Sequence, residues 1–306
     1  MNVLIVASYN KNRYAPFIDE QANALKVQGI AVDYFRLKGK GIIGYLKNLK
    51  ALKQKIKAYH PDIVHAHFGL SGLLACLQRK VPVVTTYHGS DVNEPKLRPF
   101  SKLAMRLSAW NIFVSQQNIA VARPSKNYTL LPCGIDSNSF PILSKQEARQ
   151  KMNFDDTKKY VLFAGAFSRP VKNAPLAQQV IRQMNDSTIV LLELNNWAHD
   201  EIPVLMSAVD ALLMTSLNEG SPQVIKEVMM CGCPIVSVDV GDVKERTEGV
   251  DGCYVANTFS PDELTVLLSK ALKFNGKTSG REKIIGVGLD NQNVAKKLIE
   301  IYAKVR

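Results

Sequence analysis

The stretch from Asp210 to Glu245 constrains the chain most, because it reads as strand, loop, helix, turn and strand with little freedom left over. Asp210-Ala-Leu-Leu-Met-Thr-Ser216 holds an apolar run of strand length, continuous rather than alternating, as a strand buried on both faces requires. Ser221 stands at an N-cap position and Pro222 at the first helical position, where a missing N–H removes no hydrogen bond. Val224, Val228 and Cys231 give the helix a buried stripe, Gly232 ends it, and Pro234-Ile-Val-Ser-Val238 begins the next strand.

Two carboxylates, Glu219 and Glu227, lie eight residues apart around this helix start. A helix N-terminus carries unpaired N–H groups and partial positive charge, which suits an anionic phosphate. Carboxylates beside it cannot be the phosphate's ligands, since like charges repel; they suit neutral hydroxyls of a sugar or ribose. Phosphate at the helix tip with hydroxyls gripped on either side describes a nucleotide-sugar. The spacing fits a plainer arrangement equally well, in which one acid complements the helix dipole and the other is an exposed helical Glu.

The segment resembles a known family. Glu219-Gly-Ser-Pro-x4-Glu227, followed by Cys-Gly-Cys-Pro-Ile-Val-Ser and Val-Gly-Asp-Val-Lys-Glu, is similar to the E-x7-E signature of family-4 glycosyltransferases. The resemblance implies retaining, metal-independent enzymes of the GT-B fold: α/β, with two Rossmann-like doubly wound domains facing each other across a cleft that holds the site. It implies a hexosyltransferase with no cofactor, the nucleotide-sugar being a substrate and a UDP-sugar the favoured donor. Elsewhere the resemblance runs through Thr86-x-His88 and Pro132-Cys-Gly-Ile-Asp-x3-Phe140. It places His88 against the donor sugar, Glu219 on sugar hydroxyls, Glu227 on ribose, Lys172 on the diphosphate, and the amides around Gly220 and Ser221 near phosphate or sugar.

Two departures weaken the match. No glycine lies between residues 1 and 28, so the first loop lacks both the family's small residues and a dinucleotide fingerprint. Ala166 stands where the family arginine usually follows the glycine; Arg169 could supply that guanidinium from a displaced position. Fixed cations there would stabilise a departing nucleoside diphosphate without a metal. Two rival readings follow. A non-catalytic partner subunit would keep the fold without these groups, and a nucleotide-sugar 2-epimerase would share the architecture and need no acceptor.

Read in order, the chain starts a sheet twice. Val3-Leu-Ile-Val-Ala-Ser8 opens one α/β series and Tyr160-Val-Leu-Phe-Ala-Gly165 opens another, which implies two doubly wound domains. We expect an N-terminal, acceptor-side domain over 1–140, a nucleotide-sugar domain over 141–290, and a final helix over 291–306 crossing back to the first, with 141–158 as a linker bearing a short helix. Asp62-Ile-Val-His-Ala-His-Phe is a third strand whose His65 and His67 project the same way. They suit a strand's carboxyl end, where parallel sheets place ligands, better than a metal, since no third His or Cys lies nearby. His67 is therefore an acceptor-side candidate. Asp91, after His88, either orients its loop or faces the acceptor.

Charge separates the two halves. The net charge is +12, yet residues 1–140 hold 19 Lys/Arg against 7 Asp/Glu while residues 141–306 hold 20 of each. The excess on one domain points to an anionic partner. Arg36–Lys57 carries eight bases and no acid, with Leu46, Leu49, Leu52 and Ile56 on one helical face. Leucines packed on a sheet with a solvated lysine face explain that pattern; Lys47, Lys50, Lys53 and Lys57 also suit an anionic membrane surface. Nucleic acid fits less well, since no aromatic pattern accompanies the charge. The acceptor expected is lipid-linked or otherwise anionic, in surface-polysaccharide or lipid-linked glycan synthesis. No apolar run reaches the ~18–20 residues of a membrane span. Five cysteines without a CxxC pair read as small buried apolar residues, so a reducing cytoplasm is expected, with the protein at the inner face of the membrane.

Overall fold

The computed structural model describes residues 1–10 and 12–306. The chain divides into two compact units, one made of Met1–Gly134 with Leu289–Arg306 and the other of Ile135–Gly288. Both are parallel α/β sheets, as the doubly wound GT-B architecture requires.

The first unit holds β1 (Asn2–Ser8), β2 (Ala31–Leu37), β3 (Ile63–His67), β4 (Val83–Tyr87), β5 (Trp110–Phe113) and β6 (Tyr128–Leu130). They lie side by side in the order β2-β1-β3-β4-β5-β6. Val3 to Ala7 are fully buried, the outcome of a continuous apolar strand covered by helices on both faces. The order reverses between β1 and β3, so their carboxyl ends border the crevice where an open α/β sheet binds ligands. His67 ends β3, paired in register with Thr86 of β4.

The lysine-rich segment is two helices rather than one continuous face: Gly41–Leu46 and Leu49–Tyr59. Asn48 breaks it. Its amide Nδ2 donates to the Gly44, Tyr45 and Lys38 carbonyls at 2.8, 3.1 and 2.9 Å, competing with the helical ladder. Leu52 and Ile56 therefore reach the core, with Leu49 packed beside them, while Leu46 turns away and stays 41% exposed.

The helix Asn291–Val305 belongs to this unit. It lies along Pro16–Val27 and buries Tyr302 completely. Tyr302 Oη meets Nδ1 of buried His65 at 2.6 Å, and the other His65 nitrogen meets Thr86 Oγ1 at 2.8 Å. Both ring nitrogens are thus satisfied by neutral groups, and burial pushes the His65 pKa down to about 3.

The second unit holds β7 (Lys159–Phe163), β8 (Ile189–Glu193), β9 (Ala211–Met214), β10 (Ile235–Val238) and β11 (Cys253–Ala256), in the order β11-β10-β9-β7-β8. Its switch point lies between β7 and β9. The segment expected as a linker is packed into this unit. A capping box at Ser144 starts the helix Lys145–Met152. Its buried Arg149 donates to the Ala208 carbonyl at 3.2 Å and to Asp210 at 2.7 Å. Phe140 also belongs here, its carbonyl taking a 2.8 Å bond from Arg281. Four cysteines are buried, Cys253 is half-buried, and none forms a disulfide among the described residues. No helix among the described residues is long and apolar enough to cross a membrane.

Candidate functional site

In the second unit the loops after β7 and β9 meet at the switch point. Thr215, just past β9, donates to the carbonyls of Lys172 and Asn173 at 3.0 and 2.9 Å. The Leu217 N–H adds a bond to the Val171 carbonyl at 2.9 Å. The first loop is therefore pinned to the second along its backbone. Gly165 gives Lys172 its seat: a Cβ there would stand 3.0 Å from Lys172 Cγ and would push the lysine stem aside, on a backbone whose φ of 155° side chains rarely adopt.

Lys172 Nζ reaches Glu219 Oε1 at 2.7 Å, with both side chains largely buried. The two residues assigned separately to diphosphate and sugar are thus joined as an ion pair. Arg169 stands exposed on the same loop.

The helix after Glu219 begins one residue later than its sequence suggests. It spans Gln223–Cys231 with Pro222 as N-cap, not Ser221. Ser221 is diverted: its hydroxyl donates to Asp242 Oδ2 at 2.8 Å instead of accepting a helical N–H. Gly241 makes this possible, since a Cβ there would stand 2.4 Å from the Gly220 carbonyl. Asp242 is nearly fully buried and its pKa is raised by that burial, with Lys226 and Ser221 pulling it back down. Glu227 is half-buried in the second helical turn. Val224, Val228 and Cys231 are buried as expected, but so is Lys226, whose ammonium donates to Gln223. Sequence reasoning missed Lys226 and Asp242; a lysine inside a helix's apolar stripe was the available signal.

In the first unit three histidines line up at the carboxyl ends of β3 and β4. His65 and His67 stack at 4.6 Å, and His67 stacks on His88 at 5.3 Å. His67 Nδ1 lies 3.1 Å from His88 Nε2. Such a bond needs one N–H and one lone pair, so the tautomers of the two rings are coupled. Burial, with the neighbouring His65 and His88, holds the His67 pKa well below the ordinary histidine value. His67 is fully buried, so it supports His88 from beneath; its Nε2 has no hydrogen-bond partner among the described residues. Phe17 and Phe68 flank His88 at 4.7 and 4.5 Å.

Phe68 adopts φ 73°, ψ 149°, a region that ordinarily only glycine enters. Two bonds hold it there: its N–H to the Thr86 carbonyl at 2.8 Å, and the next N–H, of Gly69, to Asp91 Oδ2 at 2.9 Å. Asp91 Oδ1 accepts the N–H groups of His88 and Gly89, both at 3.0 Å. Of the two roles open to Asp91, the structure places its carboxylate on loop orientation. Burial lifts its pKa to about 6, while those N–H bonds lower it. Lys47, Lys50, Lys53 and Lys57 are exposed on or next to the Leu49–Tyr59 helix.

Residues 9–140 match the family model described as Glycosyltransferase Family 4, and residues 147–273 match that described as Glycosyl transferases group 1. A D-inositol 3-phosphate glycosyltransferase of Mycobacterium marinum is 23% identical over 271 residues, covering 72% of this chain and 58% of that protein. The chain thus spans somewhat more than half the length of the curated relatives it matches. Among solved structures, sucrose-phosphate synthase from Thermosynechococcus elongatus superposes with a TM-score of 0.83 at 16% identity, covering 99% of this chain and 98% of the other. Anabaena HepE, solved in complex with UDP, superposes at 0.74 with 18% identity, covering 99% and 100%. With both halves matched in sequence and two parallel sheets reversing order at a switch point, the chain belongs to the family-4 glycosyltransferases of the GT-B fold.

Proposed function

We propose that this protein transfers a sugar, as a hexosyltransferase, from a nucleotide-sugar to an acceptor with retention at the anomeric carbon and without a metal ion. The observation that carries the reading is the Lys172–Glu219 pair at the switch point of the second sheet. A cation there can neutralise a departing diphosphate, and the carboxylate it releases is then free to accept sugar hydroxyls. In this reading Lys172 takes the diphosphate with Arg169, the amides of Gly220 and Ser221 face phosphate or sugar, and Glu227 takes the ribose. His88 meets the sugar, positioned by His67 and by the Asp91 loop. UDP is the favoured nucleotide, supported by HepE, which was solved with UDP and with UDP-glucose. The donor phosphate itself takes the acceptor proton, so no separate general base is required. The acceptor is a lipid-linked or anionic glycan met by the basic first unit, at the inner face of the membrane.

The test is thermal unfolding with UDP, GDP, ADP and CMP and then their sugar conjugates, in chelator. At ~100 times the dissociation constant, a ligand of the native state adds roughly 2.7 kcal/mol. A shift of several degrees with one diphosphate and its conjugates supports the donor site. No shift with any of them refutes it and leaves the non-catalytic partner subunit as the better reading.

A further inference from the structure

One cavity is lined by none of His65, His67 and His88. It is a groove of about 950 Å³ on the first unit, running along the helix Leu49–Tyr59 to the segment before β4. Leu46, Leu49, Ile56 and Val81 give it an apolar lining, and Lys47, Lys50, Lys53, Lys57 and Lys80 surround it. All five lysines are exposed, and none pairs with an acid among the described residues. Beside the groove the helix Gly41–Leu46 leaves Ile43 71% and Leu46 41% exposed.

A basic rim alone would suit any polyanion, and an apolar lining alone would suit a partner helix. The combination selects an amphiphile with a negative head and a hydrocarbon tail. Size agrees: at 1.5 Å per residue the 11-residue helix gives a groove roughly 16 Å long, close to the ~15 Å hydrocarbon depth of one bilayer leaflet. A nucleic acid would offer charge to the lysines and nothing for the leucines. A protein partner with an acidic amphipathic helix would satisfy both, but without continuing the exposed Ile43 and Leu46 into an apolar phase.

We propose that this groove is a lipid-binding site, taking one acyl chain of an anionic phospholipid from the bilayer while the lysines hold its phosphate. The site anchors the protein and is separate from catalysis, because no residue proposed for the reaction lines it. It goes beyond electrostatic adhesion of a lysine-rich face, since a chain must leave the bilayer and enter the protein.

Two measurements on the full chain test this. Co-sedimentation with vesicles of phosphatidylcholine, with and without phosphatidylglycerol, should show binding only to the anionic vesicles. Changing Lys47, Lys50, Lys53 and Lys57 to Gln should weaken it by about fivefold per lysine at low salt, with UDP-induced thermal shift unchanged. Separately, calorimetry with a short-chain phosphatidylglycerol below its micelle concentration should give saturable one-site binding that glycerol phosphate does not reproduce. Equal binding of glycerol phosphate would overturn the acyl-chain site, as would equal vesicle binding by the glutamine variant. Retention by heparin of a protein indifferent to vesicles would assign the lysines to a soluble polyanion instead. A failed nucleotide screen would remove only the thermal-shift control and leave the vesicle and calorimetry outcomes unaffected.

Discussion

Glu219→Gln separates the two halves of the proposed donor site. The wild-type carboxylate sits 2.7 Å from Lys172 Nζ with side-chain exposures of 18% and 11%. At an effective dielectric of ~20 the two charges attract by about 6 kcal/mol before desolvation. Most of that is cancelled by removing both ions from water, leaving roughly 1.5–3 kcal/mol for a charge-assisted hydrogen bond. A diphosphate arriving at Lys172 must compete with this bond. Glutamine keeps the shape and removes the competing charge, so UDP should bind at least as tightly as to wild type, and up to about tenfold tighter. Release of nucleotide from the sugar conjugate should fall about a hundredfold, because the amide holds a hydroxyl more weakly than the carboxylate does. Without ligand, the stranded lysine should lower Tm by about 2–4 °C per kcal/mol lost, and saturating UDP should restore it. Lys172→Met should weaken UDP about 10–100-fold. Titration calorimetry with UDP on both variants, beside a turnover assay, decides the matter. Parallel loss of UDP binding in Glu219→Gln would refute the division of labour, since it would make the carboxylate part of the nucleotide's own seat.

Two further perturbations test the supporting structure. Gly165→Ala should displace Lys172, whose stem would meet the new Cβ at 3.0 Å, and weaken UDP binding, with some loss of Tm from the strained φ of 155°; unchanged affinity by calorimetry would show that the seat is not needed. His65 is held neutral, with its pKa at about 3 against 6.5 in the unfolded chain, so its contribution is complete above pH 6.5 and lost as pH falls towards 3. The stability difference between wild type and His65→Gln should therefore rise with pH by about 1.4 kcal/mol per unit across that window, measured by urea unfolding. Asp91, with its pKa lifted to about 6, has the opposite sign and cancels in the difference. A flat difference would show that His65 titrates normally in the folded protein.

The strands were legible because parallel strands covered on both faces have no polar alternation to blur them; Val3–Ala7 and Tyr160–Phe163 stand out as unbroken apolar runs. Glu219, Lys172 and His88 were legible as motif positions, but their partners were not. Lys172 and Glu219 are 47 residues apart, and nothing local in either loop encodes the pairing. The Ser221 cap and the single helical face through Leu46 and Ile56 were misread for related reasons. A short polar side chain takes a partner that its helical position does not foretell: Asp242 captures the Ser221 hydroxyl, and the Asn48 amide turns to the Lys38, Gly44 and Tyr45 carbonyls. Asp91 shows the converse, since its three N–H donors are all close by in the fold while two of them are also close in sequence.

The return of the Asn291–Val305 helix to the first unit sets an order of events during synthesis. The second unit lies wholly inside the first in sequence, so the ribosome completes it while the first still lacks a helix. The His65–Tyr302 bond spans 237 residues, and at about 5–20 residues per second His65 waits roughly 10–50 s for its partner. Through that interval the face of Pro16–Val27 that later receives the last helix is open to water and to other chains. A nascent protein of this design has its greatest need of chaperone cover after the strands of both sheets have already been made.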